Sequence, residues 1–447
     1  MTDMSASPAS AEKKSSLLVP DARTARRNAA ERRFQMYGKI AVGVAVIALL
    51  FLLASILRNG TGAFFQTYIT LEVTLDEAKI DKKGNRDPVE MAKTTTFGYA
   101  PLINAAVTAK MDELGLEIDG LKKPDQMISK EAAAQLRNFV LENPSVVGSK
   151  MTFEFLASGR IDGYYKGRVT AQSAERDKNV SPQHLILADA FKDAGVLETR
   201  FNWSFVTAPD ASEKRPEAAG LGVAILGSFY MMLVVLALAL PIGVAASIYL
   251  EEFAPKNWFT DLIEVNISNL AAVPSIVFGI LGLAIFINFA GLPQSAPIVG
   301  GLVLTLMTLP RIIIPARAAI QAVPPSIREA ALGVGASKMQ MVFHHVLPLA
   351  APGILTGLII GLAQALGETA PLLLIGMVAF VREYPGGMPD GLFDPATALP
   401  VQIYNFTQRS DPAFVERASG AIIVLLVFLL IMNTLAIILR NRFERRW

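Results

Sequence analysis

The chain of 447 residues is strongly apolar, with 52% hydrophobic residues, 18% charged residues and a mean hydropathy of +0.42. This balance excludes an ordinary soluble domain and predicts a membrane protein. The net charge of +2 says little as a total, because the basic residues cluster at the ends of apolar runs. With no cysteine and three histidines, the composition excludes disulfides and thiol chemistry and argues against a zinc site.

Six apolar runs predict six transmembrane helices. The first, IAVGVAVIALLFLLASIL over residues 40–57, carries no charge and is about long enough to span a bilayer. A cleavable signal peptide is the less favoured alternative, because a basic stretch of about 39 residues precedes the run and no clear A-x-A site follows it. The other runs cover residues 220–249, 265–290, 297–320, 353–380 and 420–439.

The basic residues that flank these runs predict the orientation of the chain. They lie before the first run and after the last one, so the basic tail 1–39 and the tail 441–447 are both expected in the cytoplasm of an inner-membrane, multi-pass protein. The first 20 or so residues, rich in Ala, Ser and Lys, are expected to be disordered. The flanking basic residues are Lys13, Lys14, Arg23, Arg26, Arg27, Arg32, Arg33, Lys39, Arg440, Arg442, Arg445 and Arg446. With six spans and both ends in the cytoplasm, residues 251–264 and 321–352 are expected on the cytoplasmic side. Residues 59–217, 291–296 and 381–419 are expected outside.

Residues 58–217 differ in composition from the rest of the chain and predict an inserted extracytoplasmic α+β domain. Residues 59–217 carry 20 Lys or Arg and 23 Asp or Glu, and no apolar run in them is long enough to span. Helical patterns cover 98–115 and 130–142, a strand pattern covers 151–157, and a turn-rich stretch follows at 158–169. No catalytic motif stands out here, which favours a scaffold or docking role.

A polar stretch, EAALGVGASKMQMVFHHVLP, interrupts the apolar pattern at residues 329–348. Ser326 with Glu329, and Ser337 with Gln340, have the spacing of capping boxes that start two short helices. Gly333 and Gly335 supply the turn between them. Met339, Val342, Phe343 and Val346 share one helical face, and Pro348 is expected to close the second helix. Two amphipathic helices on the membrane surface would give the same pattern.

The order of residues in this stretch resembles the EAA loop of ABC-importer permease subunits. The residues that match the motif are Glu329, Ala330, Ala331, Gly335, Leu347 and Pro348. His345 stands where the family usually has a branched aliphatic residue. VPSIVFGILGL (273–283), LGETAPLLL (366–374) and the stretch 308–338 look like the permease subunits of phosphate importers, and the resemblance covers roughly residues 220–440.

The resemblance implies an all-α polytopic membrane protein of the type I ABC-importer permease fold, with six transmembrane helices, a core at 218–440 and an EAA coupling loop at 321–352. It implies a permease subunit for inorganic phosphate that forms half of the translocation pathway. The expected partners are an ATP-binding cassette ATPase dimer, a sister permease subunit, an extracytoplasmic phosphate-binding protein and the lipid membrane, and no nucleic acid. The chain lacks G-x-x-x-x-G-K-[ST], so ATP and Mg are expected on the partner ATPase, with no cofactor in this chain and no enzymatic activity of its own.

Glu368 and its neighbour Thr369 are candidates for the translocation pathway, because an ionisable group inside the run 353–380 is costly and needs a partner. A carboxylate repels phosphate, so the hypothesis is that Glu368 pairs with an arginine and that the pair opens during transport. Arg311 and Arg317 are the candidates in this chain, with snorkelling at the membrane surface as the alternative for each. A packing role for Glu368 has about equal weight.

Small residues also predict a helix contact. Gly353, Gly357 and Gly361 lie on one helical face at the spacing that allows close approach of another membrane helix, in this chain or in the sister subunit. His344 and His345 invite a pH-sensor interpretation, but adjacent helical residues point about 100° apart, so packing or surface contact is favoured.

Three alternative functions stay open: a permease for another oxyanion, a membrane-anchored sensor that uses 58–217, and an ion-driven secondary transporter. The EAA loop favours the importer over the last two, because such a loop has a purpose only where an ATPase docks.

Overall fold

The computed structural model describes residues 22–81 and 83–443, which fall into two units, residues 1–56 and 57–447. In the first unit a helix, α1 (Ala22–Gly60), extends through the predicted span 40–57 and on to Gly60 in the second unit. It begins within the basic tail, so residues from Ala22 onward are helical. The predicted disorder of the first 20 or so residues lies outside the described residues.

Between the end of α1 and residue 221 lies a mixed α/β part of the second unit, here called the sheet region (residues 61–221). Its three strands are β1 (Phe65–Thr74), β2 (Lys150–Leu156) and β3 (Leu197–Phe201). They form an antiparallel sheet in the order β2-β1-β3, with Tyr68 opposite Leu156 and Ile69 opposite Leu197. The helices are α2 (Glu77–Ile80), α3 (Pro88–Met91), α4 (Thr96–Glu113), α5 (Ala132–Glu142), α6 (Gly159–Tyr165), α7 (Ala171–Ala174), α8 (Pro182–Asp193) and α9 (Trp203–Thr207), with 3₁₀ turns at Thr61–Phe64, Pro124–Met127, Pro144–Val146 and Pro216–Ala218.

Alternating apolar residues on the strands build a separate core for this region. Ile69, Leu71 and Val73 of β1 are buried against helices that contribute Tyr99 and Leu136. The predicted helices 98–115 and 130–142 and the predicted strand 151–157 are confirmed within two residues.

The prediction of a turn-rich stretch at 158–169 is wrong in part, because α6 occupies its first half. The helix is fixed by a tertiary contact that local sequence does not reveal. The Asp162 carboxylate accepts hydrogen bonds from the backbone N–H and the hydroxyl of Thr67 on β1, both at 3.1 Å.

The remaining helices are mostly apolar. They are α10 (Gly222–Ile248), α11 (Trp258–Ala271), α12 (Ser275–Gly282), α13 (Pro297–Gln321), α14 (Pro325–Gly333), α15 (Lys338–Met341), α16 (Leu347–Gly367), α17 (Ala370–Leu374), α18 (Leu399–Gln408) and α19 (Ala413–Phe443), with π-helical turns at Tyr249–Phe253, Leu283–Phe289 and Val342–Val346 and a 3₁₀ turn at Asp390–Leu392. Within the described residues, five helices are long and apolar enough to cross a membrane, or six if the bent pair of α11 and α12 is one span.

Two predicted spans differ from the structure. The run 265–290 is not one straight helix, because α11 and the helix that follows bend by 101° at Pro274, which has no N–H to continue the helical ladder. The run 353–380 ends early, at Gly367, and its helix starts early, at Lys338. Pro348 therefore does not close a helix. The Leu347 N–H donates to the Val342 carbonyl five residues back, as in a π-helix. The backbone hydrogen bonds have therefore already shifted from the α-helical pattern before Pro348, which has no N–H to donate.

A buried ionic junction joins the sheet region to the start of α19. Arg417 is 2% exposed and donates hydrogen bonds to the Ala63 carbonyl (3.1 Å), the Gln66 amide oxygen (2.6 Å) and the Glu217 carbonyl (3.1 Å). Beside it, Lys166 Nζ lies 2.7 Å from an Asp162 oxygen and 2.8 Å from a Glu416 oxygen. We call Asp162, Lys166, Glu416 and Arg417 the junction cluster.

Candidate functional site

The EAA-like stretch folds as a helical hairpin, here called the hairpin (residues 325–346), made of α14, a turn, α15 and the π-helical turn. The predicted box of Ser326 with Glu329 is wrong. The helix begins one residue earlier, at Pro325, and its N-cap Pro324 makes no side-chain cap. Proline suits the first helical position because its φ is already helical and its missing N–H would have no partner there. Glu329 and Ala330 are exposed on this helix, whereas Ala331 is buried.

The second cap and one of the two predicted turn glycines agree with the sequence, whereas Gly333 is the last residue of α14 and lies before the turn. Gly335 has φ +87°, the left-handed conformation that favours glycine, and it stops the first helix. The predicted box at Ser337 is confirmed. Gln340 N–H donates to Ser337 Oγ at 3.2 Å, and Ser337 N–H donates to the Gln340 side-chain oxygen at 2.9 Å.

The predicted apolar stripe is only half buried. Val342 and Val346 pack inside with Met341, but Met339 and Phe343 are exposed. The π-helical turn changes the angular spacing after Met341, so the 3.6-residue pattern no longer describes one face. Leu347 and Pro348, the last residues of the motif, are partly buried at the start of α16. His344 and His345 are both exposed.

The result is an apolar surface on a polar connection. Its members are Leu332, Val334, Met339 and Phe343, and Val334 is 86% exposed. We call these four residues the hairpin surface. All four lie within the twelve residues 332–343 of one connection, and several exposed apolar side chains on one short segment favour a binding surface.

Arg328 fixes the hairpin to the helices beside it. Its guanidinium donates to a Glu252 carboxylate oxygen (2.9 and 3.0 Å), to the Ile320 carbonyl at the end of α13 (2.8 Å) and to the Val323 carbonyl. One side chain thus joins α14, α13 and the π-helical turn after α10. Local sequence patterns do not single out Arg328, although the adjacent acids Glu251 and Glu252 after an apolar run are a signal for basic partners.

Arg317 lies in a second ion-pair group next to the first. Its guanidinium donates to Glu251 (2.5 Å) and Glu264 (2.6 Å), and Gln321 also donates to Glu251 at 2.8 Å. The group links α13 to α11 and to the π-helical turn. The structure therefore places Arg317 away from Glu368 and in contact with acidic side chains.

Arg311 lies close to Glu368. Its Nη1 is 3.8 Å from Glu368 Oε1, and both side chains are mostly buried. Among the described residues Nη1 has no hydrogen-bond partner, although it is buried. The pair is therefore an electrostatic contact without a hydrogen bond.

Glu368 is not at the centre of a helix, as the run 353–380 predicts. It is the C-cap of α16, with φ −76° and ψ 131°, and the chain resumes helical form only at Ala370. Pro371 explains the break, since it has no N–H for a continuous ladder and restricts the residue before it. Thr369 lies in the break itself. Irregular backbone inside a membrane protein is tolerated where it is buried in protein or lines a cavity.

The three spaced glycines of α16 face α13 of the same chain. A Cβ at Gly353 would lie 2.6 Å from the Ala319 side chain, and one at Gly357 would lie 2.6 Å from the Pro315 ring. At Gly361 the nearest atom would be the Thr308 methyl, at 3.1 Å. The two helices approach so closely that side chains would not fit, which holds Arg311 and Glu368 near each other.

Comparison with known proteins gives the family. Residues 239–447 match the family model of the binding-protein-dependent transport system inner membrane component, and residues 21–175 match a domain of unknown function (DUF3333). The chain is 34% identical over 230 residues to the probable ABC transporter permease protein YqgI of Bacillus subtilis, which covers 49% of this chain and 78% of that protein.

Two phosphate permeases are similar over the same part. Identity to the phosphate transport system permease protein PstA of Xylella fastidiosa is 31% over 228 residues, 51% of this chain and 77% of that protein. Identity to the PstC protein of Pasteurella multocida is 29% over 272 residues, 55% of this chain and 82% of that protein. The chain therefore belongs to the family of binding-protein-dependent ABC transporter permeases that includes PstA and PstC, and it is a helical, multi-pass inner-membrane transport component and not an enzyme.

Proposed function

We propose that this chain is the PstA-like permease subunit of an ATP-driven importer for inorganic phosphate and forms half of its translocation pathway. In this proposal the chain spans the membrane six times, with α11 and α12 as one bent span. Both termini are cytoplasmic and the sheet region is extracytoplasmic. The proposal of phosphate as the substrate rests on the phosphate permeases named above, which share about 30% identity with the transmembrane part.

The hairpin surface is the observation that carries the proposal. It presents four exposed apolar side chains on a connection that the basic flanks put in the cytoplasm. A water-exposed apolar surface of this kind favours a protein partner, and the EAA resemblance identifies that partner as an ATPase. Because Arg328 ties the hairpin to α13, movement of the docked ATPase would be passed to the helix that carries Arg311.

The pair of Arg311 and Glu368 is proposed as a gate. Burial of both groups strengthens their attraction, yet at 3.8 Å the Arg311 Nη1 has no hydrogen-bond partner in the part of the chain that the structure describes. A phosphate oxygen would be a competing acceptor for the guanidinium, which binds phosphate well. Glu368 would then hold Arg311 in place between transport cycles and repel an anion that arrives when the gate is closed.

The proposed assembly contains a PstB-like ATPase dimer with its ATP and Mg, a PstC-like sister permease and a PstS-like phosphate-binding protein. The chain supplies no cofactor-binding motif of its own in this proposal, so energy reaches it through the hairpin.

The test is reconstitution of the chain with its ATPase and sister subunit in proteoliposomes that contain ATP inside. We expect uptake of labelled phosphate that requires the binding protein and ATP and is not reduced by excess sulfate. Uptake of a different oxyanion with no phosphate uptake would contradict the assignment of phosphate as the substrate. Phosphate transport by the chain without any ATPase would contradict the importer function.

A further inference from the structure

Three large aromatic rings are exposed at one end of the sheet region. Phe65 starts β1 and lies opposite Phe201, which ends β3. Trp203 follows at the start of α9. The Phe201 ring lies 6.0 Å from Phe65 and 4.7 Å from Trp203, so the three form one group, here called the aromatic patch. Trp203 is 70% exposed, and the two phenylalanines are nearly half exposed.

The patch is connected through aromatic contacts to the start of an apolar span. Phe64 lies 6.2 Å from Phe201 and 5.4 Å from Phe205. The Phe205 ring is buried, and its edge lies 3.0 Å from where a Cβ on Gly420 would be. Gly420 begins the uncharged run of α19, GAIIVLLVFLLIMNTLAIIL.

The position of the patch relative to α19 places it at a membrane boundary. Glu416 and Arg417, one turn before Gly420, are charged and belong to the junction cluster. The apolar run that follows must be in hydrocarbon if α19 crosses the membrane. The patch therefore lies at the level where polar structure gives way to lipid, a layer about 5–7 Å thick on each side of the bilayer.

The charges nearest to the patch in sequence are already paired with each other. Arg200, next to Phe201, donates to Glu198 (2.9 Å) and Glu154 (2.7 Å). Side chains alternate along β3, so this group projects from the face opposite to Phe201. The charged residues closest in sequence to Phe201 and Trp203 are therefore paired with each other, which favours an apolar environment for the rings.

We propose that the aromatic patch lies in the interfacial layer of the lipid bilayer and anchors the sheet region on the membrane surface. The indole of Trp203 has an apolar body and one N–H donor, which suits a layer where acyl chains meet ester carbonyls. The two phenylalanines add apolar area on the lipid side. Together with the junction cluster, the anchor restrains the sheet region at two points.

The experiment uses Trp203 as its own probe. The chain has three tryptophans, at 203, 258 and 447, so Trp258→Phe with Trp447→Phe leaves Trp203 as the sole indole. The full chain is placed in nanodiscs of phosphatidylcholine, with or without bromine on the acyl chains. We expect several-fold quenching of Trp203 fluorescence by bromine near the headgroups, weaker quenching by bromine near the chain ends, and little quenching by iodide in water.

A matched control places the same probe elsewhere in the sheet region. Val89 is 71% exposed on α3, and α3 follows the far end of β1, whose ten residues span about 30 Å. Val89→Trp in a background that combines Trp203→Phe, Trp258→Phe and Trp447→Phe should be quenched by iodide and not by bromine. If Trp258→Phe lowers the yield of protein, the quenching of Trp203 can be obtained instead as the difference in quenching between the wild-type chain and Trp203→Phe in the same lipids.

Two results would overturn the proposal. Equal quenching of both positions by iodide, without bromine quenching at Trp203, would mean that the patch faces water. Shielding of Trp203 from iodide and from bromine alike would mean that protein covers it, either a second copy or another subunit.

Discussion

The junction cluster and the pair of Arg311 with Glu368 both bury an arginine near a carboxylate, but they do so in opposite ways. Arg417 has three hydrogen bonds of 2.6–3.1 Å and is almost fully buried. Arg311 approaches Glu368 to 3.8 Å and has a buried nitrogen without a hydrogen bond in the described part of the chain. The comparison shows that burial alone does not define a role. An arginine with several hydrogen bonds to different elements holds those elements together. An arginine with a buried nitrogen that lacks a hydrogen bond can exchange partners at a low cost in free energy.

The largest expected effect is on stability, at Arg417. Arg417→Met should leave the Gln66 amide oxygen and the Glu217 carbonyl without donors in a buried place and remove one donor from the Ala63 carbonyl, and the free energy of unfolding should fall by about 3 kcal/mol or more. Thermal unfolding in detergent and amide exchange of β1 would measure it.

Arg200→Met is the matched control, because Arg200 also has carboxylate partners but is exposed. Its effect on the free energy of unfolding should be much smaller than that of Arg417→Met, because solvent screens exposed ion pairs. Equal losses in the two variants would contradict a structural distinction between the junction cluster and surface pairs.

The next effect concerns docking of the ATPase. Arg328→Ala should release the hairpin from Glu252 and from the end of α13, and the affinity for the ATPase should fall about tenfold, equivalent to about 1.4 kcal/mol. Arg328→Lys should be intermediate, since lysine keeps the charge but cannot make the forked contacts. The fraction of the ATPase that is retained with the permease during purification, measured at several ATPase concentrations, would give the change in affinity.

Ser326→Ala is the control for that measurement. The sequence predicts Ser326 as a helix cap, but the structure has no side-chain cap there. Wild-type docking by Ser326→Ala is therefore expected. A loss as large as that of Arg328→Ala would mean that the start of α14 and not the Arg328 anchor controls the hairpin.

A smaller effect on stability, with a clear effect on transport, is expected at the gate. Glu368→Gln keeps the shape of the side chain and removes its charge, so Arg311 is no longer held between cycles. Phosphate uptake should fall about tenfold while the free energy of unfolding changes by less than about 1 kcal/mol.

The gate can be separated from a packing role by a double-mutant cycle. If the two side chains act together, adding Arg311→Gln to Glu368→Gln should cost little more uptake than either change alone. Wild-type uptake and wild-type phosphate-stimulated ATPase activity by Glu368→Gln in an assembled complex would contradict the gate.

Sequence reasoning located the elements whose signals are local. The cap at Ser337, the left-handed Gly335 and the glycine spacing on α16 depend on residues within a turn or two of each other, and each has the predicted form. The residues predicted for the pathway were Glu368, Thr369, Arg311 and Arg317. The structure brings Arg311 to Glu368 and Arg317 to other acids.

What local patterns could not show depends on contacts between distant residues. The helix at α6 exists where Asp162 meets Thr67 on a strand 95 residues away. The junction of Arg417 with Gln66 joins positions 351 residues apart. The exposed Phe343 results from a π-helical turn, which the 3.6-residue pattern does not describe.

The smallest expected effect is a pH dependence within the junction cluster. Burial, the largest influence, lowers the pKa of Lys166 from 10.5 to about 8, against the opposing attraction of Asp162. Between these two values the unfolded chain retains a proton that the folded chain has released, so unfolding takes up a proton and stability rises with pH across that window. Below about pH 8 both states are protonated and this contribution is constant. Lys166→Met should remove the slope, so that within this window the difference between the two stability curves changes by up to about 1.4 kcal/mol per pH unit. A wild-type curve that stays flat over this window, once the Lys166→Met curve is subtracted, would mean that Asp162 and Glu416 keep the lysine charged and that the cluster depends on ion pairing more than on burial.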